Sequence, residues 1–521
     1  MNNNNKNHRK ELFMHLDGIT IIPTIIALEK LGIVEFIKKN NSFIINDIIE
    51  KFEVSEGYLN IAMRSLLSLD ILRIDFSQEY SNNKVYTVDQ KKLDFINNFV
   101  ISEDYIRLIS LHIKLESIIN NNATINTDEL HSINSIIDTI KKLQLQKNNF
   151  KSQFNYNFYY YLEGILVGPI LSNLGFLKKT FKEIEYKPLY ELIIKIFILC
   201  KFIDNKLEIT TRGEFFYKRL SSYGVTTSYL NLLKNLDELI NKKNNLVWQR
   251  DNNGNEIHVN RSMNVWGSGG AHKFYFKKID TIIKDTFNKK IEDQPKGIID
   301  MGCGDGTFLK HCYDIIINET LRSKYINEFP LKLIGVDINK AARISSRNTL
   351  NKSNIDNIVI NGNISDPDDL NKRLINEYNE NLNDFISTRT FLDHNRIYIK
   401  PNEIKNYNIK TTGAFCYKGN LINSSQIINN LINHLYAWKK HVEKHGLIIL
   451  ELHTIKPKSI EKNRGKTLSL SYDTTHGFSD QYLIEYDAFI ECAKYAGLKL
   501  STESILYPNL EIPTISINHF K

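Results

Sequence analysis

An apolar segment that leads into closely spaced glycines is the feature that most constrains the fold of this 521-residue chain. In 297-GIIDMGCGDGTFLKHCYDII-316, Gly302, Gly304 and Gly306 stand at alternate positions after an apolar run. Glycine allows tight backbone turns and lets a ligand approach without a Cβ in the way. A helix that begins near Thr307 adds free N–H groups. The segment therefore predicts a strand, a ligand-binding turn and a helix.

Further apolar runs, separated by helical segments, continue to the end of the chain. They are 331-LKLIGVDINK-340, 357-NIVINGNISDPDDL-370, 384-DFISTRTFLDHN-395 and 446-GLIILELHT-454, followed by 498-LKLSTESILY-507 and 513-PTISINHF-520. Strands that alternate with helices predict the α/β class and a doubly wound, Rossmann-like parallel sheet. We expect the last two runs to form a terminal antiparallel hairpin, and a ligand to bind across the carboxyl ends of the parallel strands.

Polar residues mark the predicted carboxyl ends of these strands. Asp300 closes the first run, Asp337 closes the second, and Asn363 with Ile364 follows the third. A carboxylate at the position of Asp337 can accept both hydroxyls of a ribose. The glycine spacing is G-x-G-x-G, whereas dinucleotide-binding oxidoreductases carry G-x-G-x-x-G. The pattern therefore disfavours a phosphate on the helix end and a Rossmann oxidoreductase.

The N-terminal half is predicted to be mostly helical, with short strand pairs. Ser55 is a good N-cap for a helix, and 71-ILRIDFSQEYSNNKVYTVDQ-90 places two β-prone runs around a polar turn. Three helices followed by a hairpin is the order of a winged helix, and residues 191–216 repeat it more weakly. The predicted domains are a winged-helix-like domain over 1–100, a helical lid with a second winged-helix-like unit over 101–260, and the sheet core over 261–521.

Charge and cysteine usage disfavour several classes of protein. The formal net charge of +8 is spread over the whole length, and the presumed recognition helix, 56-EGYLNIAMRSLLSLD-70, carries only Arg64 as a cation. DNA docking needs several phosphate contacts from that face, so nucleic acid is not an expected partner. The five cysteines lack paired spacing and no signal-peptide pattern opens the chain, which favours the cytoplasm. No membrane span is predicted.

The glycine turn and the polar strand ends together resemble the class I S-adenosylmethionine (SAM)-dependent methyltransferases, over roughly residues 260–521. In that family the glycines contact the methionine part of the cofactor, the acid after strand two holds the ribose, and the residue after strand three meets the adenine. The cofactor-binding residues that the resemblance implies are Asp300, Gly302, Gly304, Gly306, Asp337, Asn363 and Ile364, and we expect Ser387 and Thr388, immediately after strand four, to contact the cofactor or shape its pocket.

Four motifs carry a narrower resemblance. The segments 264-NVWGSGGAHKFYF-276, 387-STRTFLDHNR-396, 411-TTGAFCYKGN-420 and 476-HGFSDQYLIEYDAF-489 are similar to the methyltransferase domains of polyketide loading modules of the apratoxin and saxitoxin type. The resemblance implies methylation of the α-carbon of a malonyl-type acyl thioester on an acyl carrier protein. Some members of that group hold one iron or similar divalent metal.

Carbon methylation needs an enolate, and a divalent metal such as iron or manganese stabilises one by binding both of its oxygens. Given the resemblance, we expect His453 and Gln481 to be ligands, with one of Asp393, His394 or His476 completing the set. In a reaction without metal, His394 or His453 is the general base, with Asp393 and Glu451 as further acid or base candidates.

Two other functions fit the same sequence. One is a SAM-dependent O-methyltransferase of a small hydroxyl compound or acid, which needs only a histidine base. The other is a regulator that senses SAM and binds DNA through the winged helix, although the missing basic face disfavours it. Expected partners are an acyl carrier protein or a small acyl substrate, together with a second copy of the chain in a homodimer.

Overall fold

A computed structural model describes residues 3–81, 83–100, 102–147, 150, 152–252 and 254–521, without the side chains of 3–5, 76 and 270–273. The helices are α1 (Asn3–Lys30), α2 (Ile33–Lys39), α3 (Ile45–Phe52), α4 (Glu56–Ser68), α5 (Gln90–Asn97), α6 (Ser102–Ile119), α7 (Thr127–Gln146), α8 (Gln153–Phe176), α9 (Lys187–Leu199), α10 (Thr211–Tyr217), α11 (Gly224–Thr227), α12 (Leu230–Lys234), α13 (Leu236–Ile240), α14 (Arg261–Phe287), α15 (Thr307–Glu319), α16 (Lys340–Lys352), α17 (Pro367–Tyr378), α18 (Ser424–Val442), α19 (Pro457–Lys462), α20 (Ser469–Phe478) and α21 (Tyr486–Tyr495).

The strands are β1 (Ser42–Ile44), β2 (Leu72–Arg73), β3 (Val85–Val88), β4 (Gly297–Met301), β5 (Lys332–Val336), β6 (Asn357–Ile360), β7 (Phe385–Thr390), β8 (Phe415–Tyr417), β9 (Asn420–Ile422), β10 (Leu447–Leu452), β11 (Ile505–Tyr507) and β12 (Ile515–Phe520).

Two compact units divide the chain. The first, here called the helical unit, comprises Met1–Gly270, Ala414–Ile422 and Lys456–Asp480. The second, here called the sheet unit, comprises Ala271–Gly413, Asn423–Ile455 and Gln481–Lys521. The later two segments of the helical unit lie, in sequence, inside the range that we assigned to the sheet core. Long-range packing, which local patterns do not reveal, decides where such segments belong.

The helical unit is built around α1 and α8. A Cβ on Gly18 would lie 2.2 Å from the Tyr161 carbonyl oxygen, and one on Gly164 would lie 2.3 Å from the His15 Cα. Only glycine allows the two backbones to approach this closely. Residues 6–30 are long and apolar enough to cross a membrane by composition, but 89% of their most apolar stretch is buried inside the unit. The helix therefore has the burial of a core helix.

Short sheets accompany the helices of this unit, as the winged-helix prediction requires. β1, β3 and β2 form an antiparallel sheet in that order, and β2 pairs Leu72 with Val88. Ser55 caps α4 by accepting a hydrogen bond from the Tyr58 backbone N–H. In the second predicted unit, α9 leads through an Ile203–Ile209 bridge into α10.

The sheet unit contains a seven-stranded sheet in the order β11-β12-β10-β7-β4-β5-β6. β4 is parallel to both β5 and β7, while β12 runs antiparallel to β10 and β11. All five residues of β4 are buried, as expected for a strand covered on both faces. The predicted doubly wound sheet with a terminal hairpin is confirmed. The strand order reverses between β4 and β7, and ligands bind at the carboxyl ends beside such a switch point.

Candidate active site

The glycine turn after β4 keeps a space open. Gly302, Gly304 and Gly306 have φ angles of 72°, 54° and 79°, in the left-handed region that glycine adopts without strain. A Cβ on Gly304 would meet no atom within 4 Å, whereas one on Gly306 would lie 2.7 Å from the Ser346 Oγ. Gly306 therefore allows packing against α16, and Gly304 leaves room for a ligand. The helix begins at Thr307, as predicted.

Asp337 ties the end of β5 to this turn. Its Oδ2 accepts a hydrogen bond from the Gly304 backbone N–H at 3.2 Å, and its Oδ1 accepts one from the Asn339 N–H at 2.8 Å. The carboxylate is half-buried. An acid held beside an open glycine turn fits the ribose and methionine parts of SAM, so the residues present suit this cofactor.

Asp300, Ser387 and Thr388 lie deeper in the sheet than we expected. Thr388 donates its hydroxyl to the Asp300 carboxylate at 2.8 Å, and burial raises the pKa of Asp300 to about 7. Ser387 and Thr388 were expected just after strand four, but β7 continues to Thr390. Thr388 finds a partner inside the sheet in Asp300, whereas the Ser387 hydroxyl is buried without a hydrogen-bond partner in the described part of the chain.

Asn363 and Ile364 shape the turn after β6. The side-chain oxygen of Asn363 accepts a hydrogen bond from the Ser365 N–H at 2.9 Å. The Ile364 carbonyl accepts one from the Trp438 indole at 2.7 Å, and the Ile364 side chain is buried. Both residues lie at the carboxyl edge of the sheet, two strands from the glycine turn.

His394 and Glu451 form a buried pair at the ends of β7 and β10. The His394 Nδ1 lies 2.5 Å from the Glu451 Oε1, and the His394 backbone N–H donates to Oε2 at 3.0 Å. The Leu452 N–H also donates to Oε1, at 2.7 Å. A carboxylate that accepts at Nδ1 selects the tautomer with its lone pair on Nε2 and stabilises the imidazolium. This is the arrangement of a general base.

Asp393, next to this pair in sequence, belongs to a different network. Its Oδ1 accepts from the Arg389 guanidinium at 2.6 Å and lies 2.9 Å from the His434 Nε2. Burial acts to raise the pKa of Asp393, but Arg389 and His434 outweigh it and hold the pKa well below its ordinary value. Arg389 also lies over the Trp438 ring, at 4.1 Å. Asp393 is thus an ionised anchor for the loop rather than an acid that exchanges protons near neutral pH.

His453 occupies an apolar setting. Its Nε2 lies 2.7 Å from the Ser516 Oγ, and its ring lies 5.7 Å from that of Tyr486 and 5.3 Å from that of Phe489. Nδ1 lies near the backbone of Ile484 without a hydrogen bond of normal geometry. Burial lowers the pKa of His453 to about 3, so the ring is neutral at physiological pH.

The remaining predicted ligands fall in different parts of the chain. His476 is in α20 of the helical unit, where its Nδ1 lies 2.8 Å from the Tyr472 carbonyl. Gln481 opens the last segment of the sheet unit, and the next residue, Tyr482, donates its N–H to the His394 carbonyl at 2.8 Å.

Three of the predicted metal ligands have other partners in the structure. Asp393 faces a guanidinium, His453 uses Nε2 on Ser516, and His394 uses Nδ1 on Glu451. Across the residues that the structure describes, no three His, Cys, Asp or Glu side chains gather in a way that could hold a metal ion. The expected histidine and aspartate ligands are thus not gathered into a site for iron or manganese among these residues.

His434 is a site residue that the sequence reasoning missed. It lies on the buried face of α18, among Leu431, Leu435 and Trp438, and reaches Asp393. A histidine between Leu431, Leu435 and Trp438 on the helix was the available signal. Burial lowers the pKa of His434 to about 4.

The strand order, the open glycine turn and the acid beside it define a class I SAM-dependent methyltransferase. The family model of the AprA MT2-like methyltransferase domain matches residues 256–518. The chain belongs to this family. Models of the AprA N-terminal domain and the AprA winged helix domain match residues 8–74 and 163–243.

Solved structures that a structural search matches to this chain include further methyltransferases. An O-methyltransferase family 2 protein from Planctomyces limnophilus, in complex with apigenin, is 9% identical, with 98% of this chain and 95% of that one covered and a TM-score of 0.37. Human N-acetylserotonin methyltransferase with SAM is 11% identical, with 71% and 98% covered and a TM-score of 0.40. DszA carbon methyltransferase is 10% identical, with 82% and 90% covered and a TM-score of 0.35. At these values the likeness carries no argument about the acceptor. No curated protein matches the sequence.

Proposed function

We propose that this enzyme methylates the α-carbon of a malonyl-type acyl thioester, and that His394 removes the α-proton. The observation that carries the proposal is the buried His394–Glu451 pair, because it places an oriented imidazole at the carboxyl edge of the sheet, beside the switch point. A carrier-protein-bound substrate, polyketide-like biosynthesis and a cytoplasmic homodimer are part of the same proposal and rest on the resemblance of the sequence motifs.

Residues of the sheet unit have different roles in the proposed proton transfer. The Glu451 carboxylate holds Nδ1–H of His394, which leaves the basic lone pair on Nε2. When Nε2 takes the α-proton, the positive charge that forms on the ring lies against the negative charge of Glu451. General base catalysis of this kind contributes about 10²- to 10⁴-fold to a rate. Asp393, Arg389 and His434 fix the loop that carries His394.

The cofactor half of the reaction depends on the glycine turn. SAM supplies an electrophilic methyl group when it is bound. The turn is open at Gly304, where a Cβ would meet no atom within 4 Å, and Asp337 offers a carboxylate for ribose hydroxyls. Asp300 and Thr388 hold β4 and β7 in register beneath that space.

Metal assistance remains a prediction of the family resemblance, and no step is derived from it. The decisive measurement is elemental analysis of the purified protein, combined with activity before and after chelation. A stoichiometric transition metal whose removal abolishes activity would establish metal assistance. Metal-free protein with full activity would leave His394 as the base.

The acceptor is tested by incubating the enzyme with SAM and a malonyl-loaded carrier protein and measuring the intact mass of the carrier. We expect the mass to rise by one methyl group or more. The same carrier without its acyl group is the matched control and should not change. If the malonyl, methylmalonyl and acetoacetyl carriers all stay unmodified while a small phenol or acid is methylated, the enzyme is an O-methyltransferase that uses the same histidine.

A further inference from the structure

A basic cavity in the helical unit lies outside the methyl-transfer machinery. Its volume is about 660 Å³, within the range of small-molecule sites. Residues from the start of α1, from α5, from the start of α8 and from 461–466 line it. Its wall carries six cations, which are Lys6, Lys10, Lys92, Lys462, Arg464 and Lys466, against one carboxylate, Glu461.

Most of this positive charge has no negative partner. Lys92 is paired with Asp70 and lies 3.6 Å from Asp89. Lys6 and Lys462, by contrast, are exposed and form no ion pair with any residue that the structure describes. A concave wall with several uncompensated ammonium groups concentrates the positive field and attracts anions.

Two further features of the wall favour an anion. The Arg464 guanidinium is held at the wall by its Nη2, which donates to the Ser68 carbonyl at 3.0 Å. The wall also includes Ser152 and Gln153, at the N-terminus of the 24-residue helix α8. Ser152 caps the Phe154 N–H at 3.2 Å, and the positive end of the helix dipole lies at this part of the wall.

We infer that this cavity binds a phosphorylated, nucleotide-sized small molecule that carries at least two negative charges. Lysine ammonium groups and a helix N-terminus suit phosphate oxygens, and the excess of cations calls for more than one charge. The volume exceeds the needs of a single phosphate. A concave wall formed by α1, α5, α8, α19 and the segment that follows α19 admits a small ligand more readily than a nucleic-acid duplex.

The test is calorimetric titration of the whole protein at low salt, with S-adenosylhomocysteine present in saturating amounts so that the methyl-donor site is filled. ADP is the probe, pyrophosphate represents the phosphates alone, and adenosine is the uncharged match. We expect ADP to bind, pyrophosphate to bind more weakly, and adenosine not to bind. If adenosine bound as tightly as ADP, or if neither ADP nor pyrophosphate bound, the inference would be wrong. If pyrophosphate bound as tightly as ADP, the inference that the ligand is of nucleotide size would be wrong.

Two double variants test whether ADP binds in this cavity. Lys6→Gln with Lys462→Gln removes two uncompensated cations from the wall and should weaken ADP binding by about tenfold or more. The control is the double variant Lys206→Gln with Lys458→Gln, which removes the same amount of charge from the same unit. Both lysines are exposed and neither lines the cavity. Lys458 is in the same helix as Lys462. This control should bind ADP like the unmodified protein. Equal losses in both double variants would mean a general charge effect and no site here.

Discussion

Two histidines follow neighbouring strands, His394 after β7 and His453 after β10. Their comparison shows how the hydrogen-bond partner of a histidine determines its chemical role. Both side chains are buried, at 6% and 3% relative exposure. His394 faces the Glu451 carboxylate, whereas His453 faces the Ser516 hydroxyl and two aromatic rings. Similar exposure at the same edge of the sheet therefore gives two different chemical settings.

The two histidines differ in the group that faces each ring. The Glu451 carboxylate at hydrogen-bond distance orients the His394 ring, as the base of the proposed reaction requires. A hydroxyl in an apolar setting is uncharged, and burial lowers the pKa of His453 to about 3. We therefore propose His394 as the base and a structural role for His453.

Replacing His394 gives the largest expected effect. His394→Gln removes the base while keeping an amide that can reach Glu451. We expect kcat for methyl transfer to fall by about 10³-fold, within the usual range for a general base, and the Kd for SAM to stay within about twofold. Single-turnover transfer and SAM titration measure the two quantities.

The matched variant is His453→Gln, which alters the neighbouring histidine in the same way. It should lower kcat by less than about tenfold, since no proton passes through His453 in the proposed reaction. If the two variants lost activity equally, the assignment of roles to the two histidines would be wrong.

Removing the charge of Glu451 should have the next largest effect. Glu451→Gln keeps the shape of the pair but cannot stabilise the imidazolium, so we expect kcat to fall by about 10²-fold. Single-turnover methyl transfer measures the change. Glu451→Asp, which keeps a carboxylate, should recover part of the rate. If Glu451→Asp lost as much activity as Glu451→Gln, the role proposed for the Glu451 carboxylate would be wrong.

The local parts of this site could be predicted from the sequence. Gly306 and Thr307 mark the turn and the helix start, and Asp337 follows its strand, because glycine, caps and apolar runs act over a few residues. Asp366 caps α17 by accepting from the Asp369 N–H at 3.1 Å, as an aspartate before a proline at a helix start commonly does. The strand alternation likewise predicted the sheet and its closing hairpin.

The partners of each histidine could not be predicted in that way. His394 meets Glu451 across 57 residues of sequence, and Asp393 meets His434 across 41. His476 and Gln481 are five positions apart but belong to different compact units, since the boundary falls after Asp480. Which side chains converge depends on tertiary packing, and short motifs carry little information about it.

A smaller effect is expected on stability when the partner of His453 is removed. Ser516→Ala leaves the buried His453 Nε2 without its hydroxyl and should lower the free energy of unfolding by about 1–3 kcal/mol. Urea unfolding measures the change. Thr514→Ala, on the same segment but outside the His453 side-chain hydrogen bond, is the control and should cost less.

The last effect, which is small for each pH unit, is the dependence of stability on pH, and it tests the comparison most directly. The unfolded chain binds a proton at His453 with a pKa near 6.5, whereas the folded chain does so only at about 3. Between these values the unfolded state carries more protons, so stability falls as the pH decreases from 6.5 towards 3. In His453→Gln this contribution is absent, and the loss of stability on acidification should be shallower by about 1 kcal/mol per pH unit. The other depressed histidines, such as His434, are present in both proteins and cancel in the difference. Parallel curves of unfolding free energy against pH for the two proteins would show that His453 is accessible to protons in the fold, and would remove the contrast with His394.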